Sequence, residues 1–382
     1  MTESIPRSKL SMDDGKRIID SAVKKGVQIL RFTGGEPFLF LDEIISLIKH
    51  AEKAGIKYTV TGTNGFLFMN HDSSHFLKET TEIVERLAET NIYSFWISLD
   101  SAVPEVHETM RGLPGVMKGI EKALPVFHKH GIYPVANFVV NRNIAGFWKQ
   151  TGLQSREFYE YFKEAYRNFF RFVINMGFTS TAISYPMSIG NIHKDINPVH
   201  LVVSKENVVR FSPDEKAGIF KALFDVIPEF RHKLRIFNPR CSLYSLIRKY
   251  SAGEESCYPC RGGLELLFVD AKGDTYPCGF RGLENLGKFW ELASRSNNIR
   301  PSCVKCDWEC FRDASELFGP PLDVFTNPLK FLSRVMRNNQ YMRLWIKDVL
   351  YYKACNFFHG RIPPDYNKLS GFFNGCRLNA KE

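Results

Sequence analysis

The sequence predicts an α/β protein: a parallel sheet, then a small cysteine-rich unit, then a basic helical tail. Three observations lead there. Over the first 190 residues, short β-branched or aromatic runs alternate with helix-period patterns. Glycine and polar residues gather after the strand candidates, not before them. Seven of the nine cysteines then fall between Cys241 and Cys310.

Taken in order, the first strand covers 28–32 and ends at Thr33-Gly34-Gly35-Glu36-Pro37. A helix follows over 41–54, with Ile44, Ile45, Leu47 and Ile48 on its apolar face. Strand 57–61 runs into Thr63-Asn64-Gly65. A helix over 74–89 precedes strand 94–99, which ends in Asp100-Ser101. Helix 116–130 leads through Gly131 into strand 135–140. An aromatic helical insertion, 157–168, comes before a last strand at 181–185. Such alternation argues for βαβ units with right-handed crossovers. It places the polar strand ends on one edge of the sheet, where α/β folds bind ligands. Five units are visible, fewer than a closed eight-stranded barrel needs.

From about Cys241 the pattern changes to short strands, turns and cysteines. Residues 264–270 and 275–276 read as a hairpin turning at Lys272-Gly273-Asp274. After Cys310 the chain is helical, with one or two amphipathic helices over 325–352 and a break before them at Pro320-Pro321. The division expected is 1–200 for the sheet domain, 201–240 for a helical connection, 241–315 for the cysteine unit and 316–382 for the tail.

Composition narrows the classes. The net charge is +10, and 32 phenylalanines lift the aromatic share to 14%. The phenylalanines fit either a Phe-rich core or a surface meeting an apolar substrate or membrane. A basic balance admits nucleic acid, anionic lipid or an acidic substrate, but no dense Lys/Arg block signals nucleic acid. No run is long and apolar enough to span a bilayer, and residues 1–11 lack a signal-peptide core. The expected compartment is the cytoplasm, where clustered cysteines are metal ligands more often than disulfides.

The spacing Cys257-x2-Cys260, Cys278, Cys303-x2-Cys306-x3-Cys310 is that of thiolate ligands to zinc or to an iron–sulfur cluster. Cys241 and Cys257 are ligands or bystanders, and Cys355 reads as a small buried hydrophobe. Gly34-Gly35-Glu36-Pro37 follows a strand directly. Its glycines let a ligand approach the backbone, and Glu36 offers a carboxylate to an ammonium group or a ribose.

Together with its surroundings, this motif resembles the radical S-adenosylmethionine superfamily. The run from Leu30 to Leu39 carries the resemblance, with Thr63-Asn64-Gly65, Ile97-Ser98-Leu99-Asp100 and His107-x3-Arg111-Gly112-x-Pro114-Gly115 in order, over residues 10–190. The resemblance implies a partial barrel missing its first strand. It also implies S-adenosylmethionine bound by Gly34, Gly35, Glu36 and Pro37, with Ser98 and Asp100 as ribose contacts and Asn137 as a weaker candidate. The later region resembles the SPASM extension: Cys260, twelve residues, Gly273, four residues and Cys278 meet its opening signature. That resemblance implies at least one auxiliary four-iron–four-sulfur cluster on Cys257, Cys260, Cys278, Cys303, Cys306 and Cys310, with Cys355 or Cys376 as a distant last ligand. It further implies a peptide or protein substrate and an electron donor such as flavodoxin or ferredoxin. Asp307, Arg312 and Asp313, near the cysteines, are read as solvated surface groups, with a role as base or electron-path residues as the alternative.

One feature departs from the family. Its members carry a CxxxCxxC loop ahead of the GGEP strand, whose thiolates hold the cluster that cleaves S-adenosylmethionine to a 5′-deoxyadenosyl radical. No cysteine precedes Cys241 here. A start upstream of Met1 is the expected explanation; a catalytically degenerate metal-binding partner protein is the alternative.

Overall fold

The computed structural model describes residues 8–150, 152–186, 207–255, 257–292 and 301–373. Six parallel strands form one sheet in sequential order: β1 (Ile29–Arg31), β2 (Tyr58–Thr63), β3 (Ile92–Leu99), β4 (Val135–Val139), β5 (Ser180–Ser184) and β6 (Arg235–Ile236). Helix α1 (Met12–Lys24) precedes them, N-capped by Ser11. The crossovers carry α2 (Leu41–Ala54), α3 (Phe76–Ala88), α4 (Pro104–Arg111) with α5 (Val116–Lys129), α6 (Ser155–Met176) and α7 (Pro213–Phe230).

Strand alternation sorts the side chains onto two faces. Phe95, Ile97 and Leu99 of β3, with Ala136 and Phe138 of β4, join the helices in the main core. Ser94, Trp96 and Ser98 alternate to the other face. Many of the phenylalanines belong to this core, among them Phe127, Phe162, Phe169 and Phe170, all fully buried.

Three expectations need correction. The segment read as a connection ends in a sixth strand, β6, pairing Arg235 with Ser180 and Ile236 with Thr181. Two residues are too few to show a period. The chain from Cys241 begins not with strands but with helix α8 (Arg240–Ala252). The expected hairpin follows later as β7 (Phe268–Val269) and β8 (Thr275–Tyr276). Gly273 turns it at φ 80°, and a Cβ there would meet the Trp290 ring at 2.6 Å.

The third correction concerns Pro320-Pro321. Helix α9 (Glu309–Thr326) runs through both prolines, followed by α10 (Pro328–Arg337), α11 (Asn339–Ala354) and the short α12 (Tyr366–Ser370). A proline cannot bond the carbonyl four residues back, so two prolines orphan the carbonyls of Glu316 and Leu317. Tyr341 Oη donates to Glu316 O at 2.8 Å, and Trp345 Nε1 to Leu317 O at 2.9 Å. Two side chains one turn apart on α11 thus replace the two missing backbone donors.

Candidate functional site

The site is built on the C-terminal ends of the strands. After β1, Pro37–Phe40 forms a 3₁₀ turn whose Phe38 is buried and stacks on Phe95 at 5.2 Å. Burying that ring contributes about 2 kcal/mol and fixes the residues before it. Glu36 caps the turn by accepting Phe38 N–H at 3.0 Å. Its other oxygen accepts Asn64 N–H at 2.6 Å, across from the end of β2. Thr63 and Asn64 are held in turn by Gly65 N–H to Thr63 Oγ1 at 3.1 Å and Phe66 N–H to Asn64 Oδ1 at 2.9 Å. Burial raises the Glu36 carboxyl above its usual range, while the two backbone donors, Thr63 and the Arg111 cation pull it back.

Gly34 and Gly35 precede this braced carboxylate. Both are exposed, and a Cβ built on either meets nothing within 4 Å. Nothing in the chain itself crowds these glycines, so their free side can receive a ligand.

At the end of β3, Asp100 accepts a fork from Arg111, Nε to Oδ2 at 2.6 Å and Nη2 to Oδ1 at 2.8 Å. Asp100 N–H donates to His107 Nδ1 at 3.0 Å, and Asn141 Nδ2 donates to Asp100 O at 2.7 Å. His107 is fully buried, and desolvation pushes its pKa down to about 4. Ser98 lies opposite Asn137, whose Oδ1 accepts Ser184 Oγ at 3.1 Å. Ser98, Asn137 and Ser184 therefore share the face away from the main core.

That face is met by the start of α9. Glu309 Oε2 accepts Tyr185 N–H at 3.2 Å, and Asp313 accepts Tyr185 Oη at 3.0 Å and Ser242 Oγ at 2.6 Å. Burial raises both carboxyls, that of Asp313 well above its usual range. Between them, Cys310 Sγ accepts from Arg31 Nη1 at 3.1 Å, and the same guanidinium lies 4.1 Å over the Trp96 ring.

The cysteines separate into groups. Cys260, Cys278, Cys303 and Cys306 pack with Phe280, Trp308 and Phe311, and Cys260 and Cys303 form a β-bridge. Burial pushes Cys278 up to about 11, with Cys260 and Cys303 adding to it. Cys306 rises to about 12 through burial, with Asp307, Cys260 and Cys278 adding. The four thiols are thus close enough to feel one another's charge. Cys310 borders this group but addresses Arg31 and Glu309 instead. Cys257 and Cys241 pack in another cluster with Tyr258 and Tyr341, and Cys355 is buried beside Tyr351 and Phe358. All eight described cysteines are free thiols; Cys376 lies outside the described residues. Among the described residues, no three His, Cys, Asp or Glu side chains are close enough to hold a single ion.

With this geometry in view, residues 2–146 match the model of the radical SAM superfamily. Over that stretch the chain is similar to a radical SAM domain. It is similar to an AdoMet-dependent heme synthase of Methanosarcina barkeri, at 26% identity over 83% of this chain and 80% of that protein. A heme synthase of the same description from Oleidesulfovibrio alaskensis is 24% identical over 74% of this chain and 65% of its own length. A GTP 3′,8-cyclase of Mannheimia succiniciproducens is 32% identical over 31% of this chain and 33% of its own.

Within and beyond the matched residues, some side chains behave otherwise than expected. Asp307 and Arg312 are not solvated. Asp307 is buried between Lys216 Nζ at 2.9 Å and Tyr250 Oη at 3.0 Å, and Arg312 donates to Tyr258 O at 2.8 Å. Asp313 is half-buried and held by Ser242 and Tyr185. A buried charge must be partnered, and these partners come from remote segments that local sequence does not show. Arg31, Trp96 and Glu309 are site residues the sequence reading passed over. The one available signal was the placement of Arg31 directly before the glycine motif.

Proposed function

We propose that the chain binds S-adenosylmethionine at the Gly34–Pro37 edge of the sheet and serves a radical SAM reaction, with one auxiliary iron–sulfur cluster in its cysteine lobe. The observation carrying this reading is the pairing of an open diglycine with a carboxylate braced between two strand ends. Such a cradle suits an amino acid's ammonium group: the free side admits the ligand, and Glu36 cannot swing away. Asp100 is committed to Arg111, so its part is to hold that guanidinium near Glu36, and Ser98 is the freer candidate for a ribose hydroxyl.

When bound beside a reduced cluster, S-adenosylmethionine supplies a 5′-deoxyadenosyl radical for hydrogen abstraction. Residues 1–240 contain no cysteine and do not fit that catalytic cluster. The chain's own residues bind and orient, and half-buried Glu309 and Asp313, whose carboxyls burial raises, accept hydrogen bonds from Tyr185 at the end of β5. In support of an auxiliary cluster, Cys260, Cys278, Cys303 and Cys306 pack together in the cysteine lobe with Phe280, Trp308 and Phe311. Zinc, bonded to each sulfur at about 2.3 Å, needs its thiolates almost touching. Among the described residues no three such side chains approach that closely, so the reading favours a group larger than a single ion. The SPASM assignment and a cytoplasmic location belong to the same reading.

For the substrate, the similarity to an AdoMet-dependent heme synthase along 83% of the chain favours a reaction of that type. Peptide modification rests on the SPASM resemblance alone.

Equilibrium dialysis of the full chain with S-adenosylmethionine tests the cradle. Gly35→Val, which fills the open side, is expected to weaken binding at least about tenfold, roughly 1.4 kcal/mol; unchanged binding sinks the assignment. Anaerobic reconstitution with iron and sulfide tests the lobe. Iron uptake should vanish in Cys278→Ser and persist in Cys310→Ser, and a chain that takes up only zinc refutes it.

A further inference from the structure

The strongest unexplained surface lies at the far end of the chain. Phe325 is 85% exposed, Leu329 79% and Met336 78%, with Leu332 also exposed. On α10, Leu329, Leu332 and Met336 recur at spacings of three and four, so they share one side of the helix. Phe331 and Val335 point the other way, packing against the cluster around Tyr341. The outer stripe is therefore surplus to the fold.

The charge around it has one sign. Residues 324–353 contain six basic residues, Lys330, Arg334, Arg337, Arg343, Lys347 and Lys353, and a single acid, Asp348. Asp348 is fully buried and paired with Arg231 at 2.8 Å, and Arg334 is paired with Asp323. Arg337, Arg343 and Lys347 are exposed. Ile346 and Leu350 stand exposed beside the latter two on α11. No described helix is long and apolar enough to cross a membrane.

We propose that α10 and the adjoining end of α9 dock the protein on an anionic lipid bilayer. Phe325, Leu329, Leu332 and Met336 enter the headgroup boundary, while Arg337, Arg343 and Lys347 meet lipid phosphates. A short helix with protruding apolar residues and a purely cationic flank is the composition that rests in an interface. A protein partner would be expected to meet a groove with polar acceptors at its rim, whereas this surface offers isolated apolar side chains and cations.

Flotation of the full chain with phosphatidylcholine vesicles, with and without phosphatidylglycerol, tests this. Binding is expected only to the anionic vesicles and should weaken with salt. Leu329→Glu with Met336→Glu should cut the bound fraction at least about tenfold. Arg337→Gln with Lys347→Gln leaves all apolar packing intact and should cost about 25-fold, near fivefold for each charge. Circular dichroism matching the parent's confirms that each variant folds. The proposal is overturned if the parent chain does not float, or if the charge variant floats as well as the parent. It is equally overturned if the parent ignores vesicles but self-associates with concentration, or binds an acidic ferredoxin instead.

Discussion

The strand-end site and the cysteine lobe solve opposite problems. At the strand ends, polar acceptors have fixed donors from the chain: Glu36 from Phe38 and Asn64, Asp100 from Arg111. In the lobe, Cys260, Cys278, Cys303 and Cys306 are walled by Phe280, Trp308 and Phe311. Their strongest mutual influence is repulsion once ionised. The first region is organised by the fold before any ligand arrives. The second gathers thiols with no such fixed donors, as expected of the proposed cluster site.

The sharpest way to break this contrast is to strip metal from reconstituted protein. Residues 257–310 should then exchange amide hydrogens rapidly while β2 to β5 stay protected, because metal-binding energy is folding energy for such units. Uniform loss of protection across both regions refutes the division.

Acid should move the two regions in opposite directions. His107 stays neutral down to about pH 4, below its usual 6.5, so its contribution is complete above 6.5 and lost as pH falls towards 4. Glu316, buried on α9, has its carboxyl raised to about 7, chiefly by desolvation. Its contribution is complete below the usual 4.5 and lost as pH rises through 7. Each shift corresponds to about 3 kcal/mol at most. Glu316→Gln should therefore raise the Tm at pH 8 and leave it unchanged at pH 4. His107→Asn should flatten the loss of stability between pH 6.5 and 4. Thermal melts across that range check both signs.

Smaller effects sharpen the comparison further. Arg111→Ala leaves the Asp100 carboxylate without its fork. The pair is partly solvated, so the cost should be about 2 kcal/mol, below the range for fully buried pairs. It should appear both in denaturant melts and as weaker S-adenosylmethionine binding. Tyr341→Phe removes the donor to Glu316 O and should cost about 1 kcal/mol, measurable as a lower urea midpoint with an unchanged slope.

Five of the six sheet strands were legible because each pairs a β-branched or aromatic run with polar residues at its end. The glycine motif was legible for the same local reason. What local sequence concealed was long-range partnering. Nothing near Glu36 announces Asn64, and nothing near Asp307 announces Lys216. The spacing of the cysteines did not show that Cys310 meets Arg31 or that Cys257 packs in the cluster of Tyr341. Helix α9 was hidden most completely, since the donors that let it pass two prolines lie 25 and 28 residues further along.

Those prolines have a genetic consequence. Pro320, Pro321, Tyr341 and Trp345 form one heritable unit, in which the value of each residue depends on the others. With the prolines present, losing Tyr341 strands a carbonyl. With Pro320 replaced by alanine, helix bonding reclaims that carbonyl, and the tyrosine hydroxyl becomes dispensable. Substitutions here should therefore show strong epistasis, and a path that changes the tyrosine first crosses a less stable intermediate than one that changes the proline first.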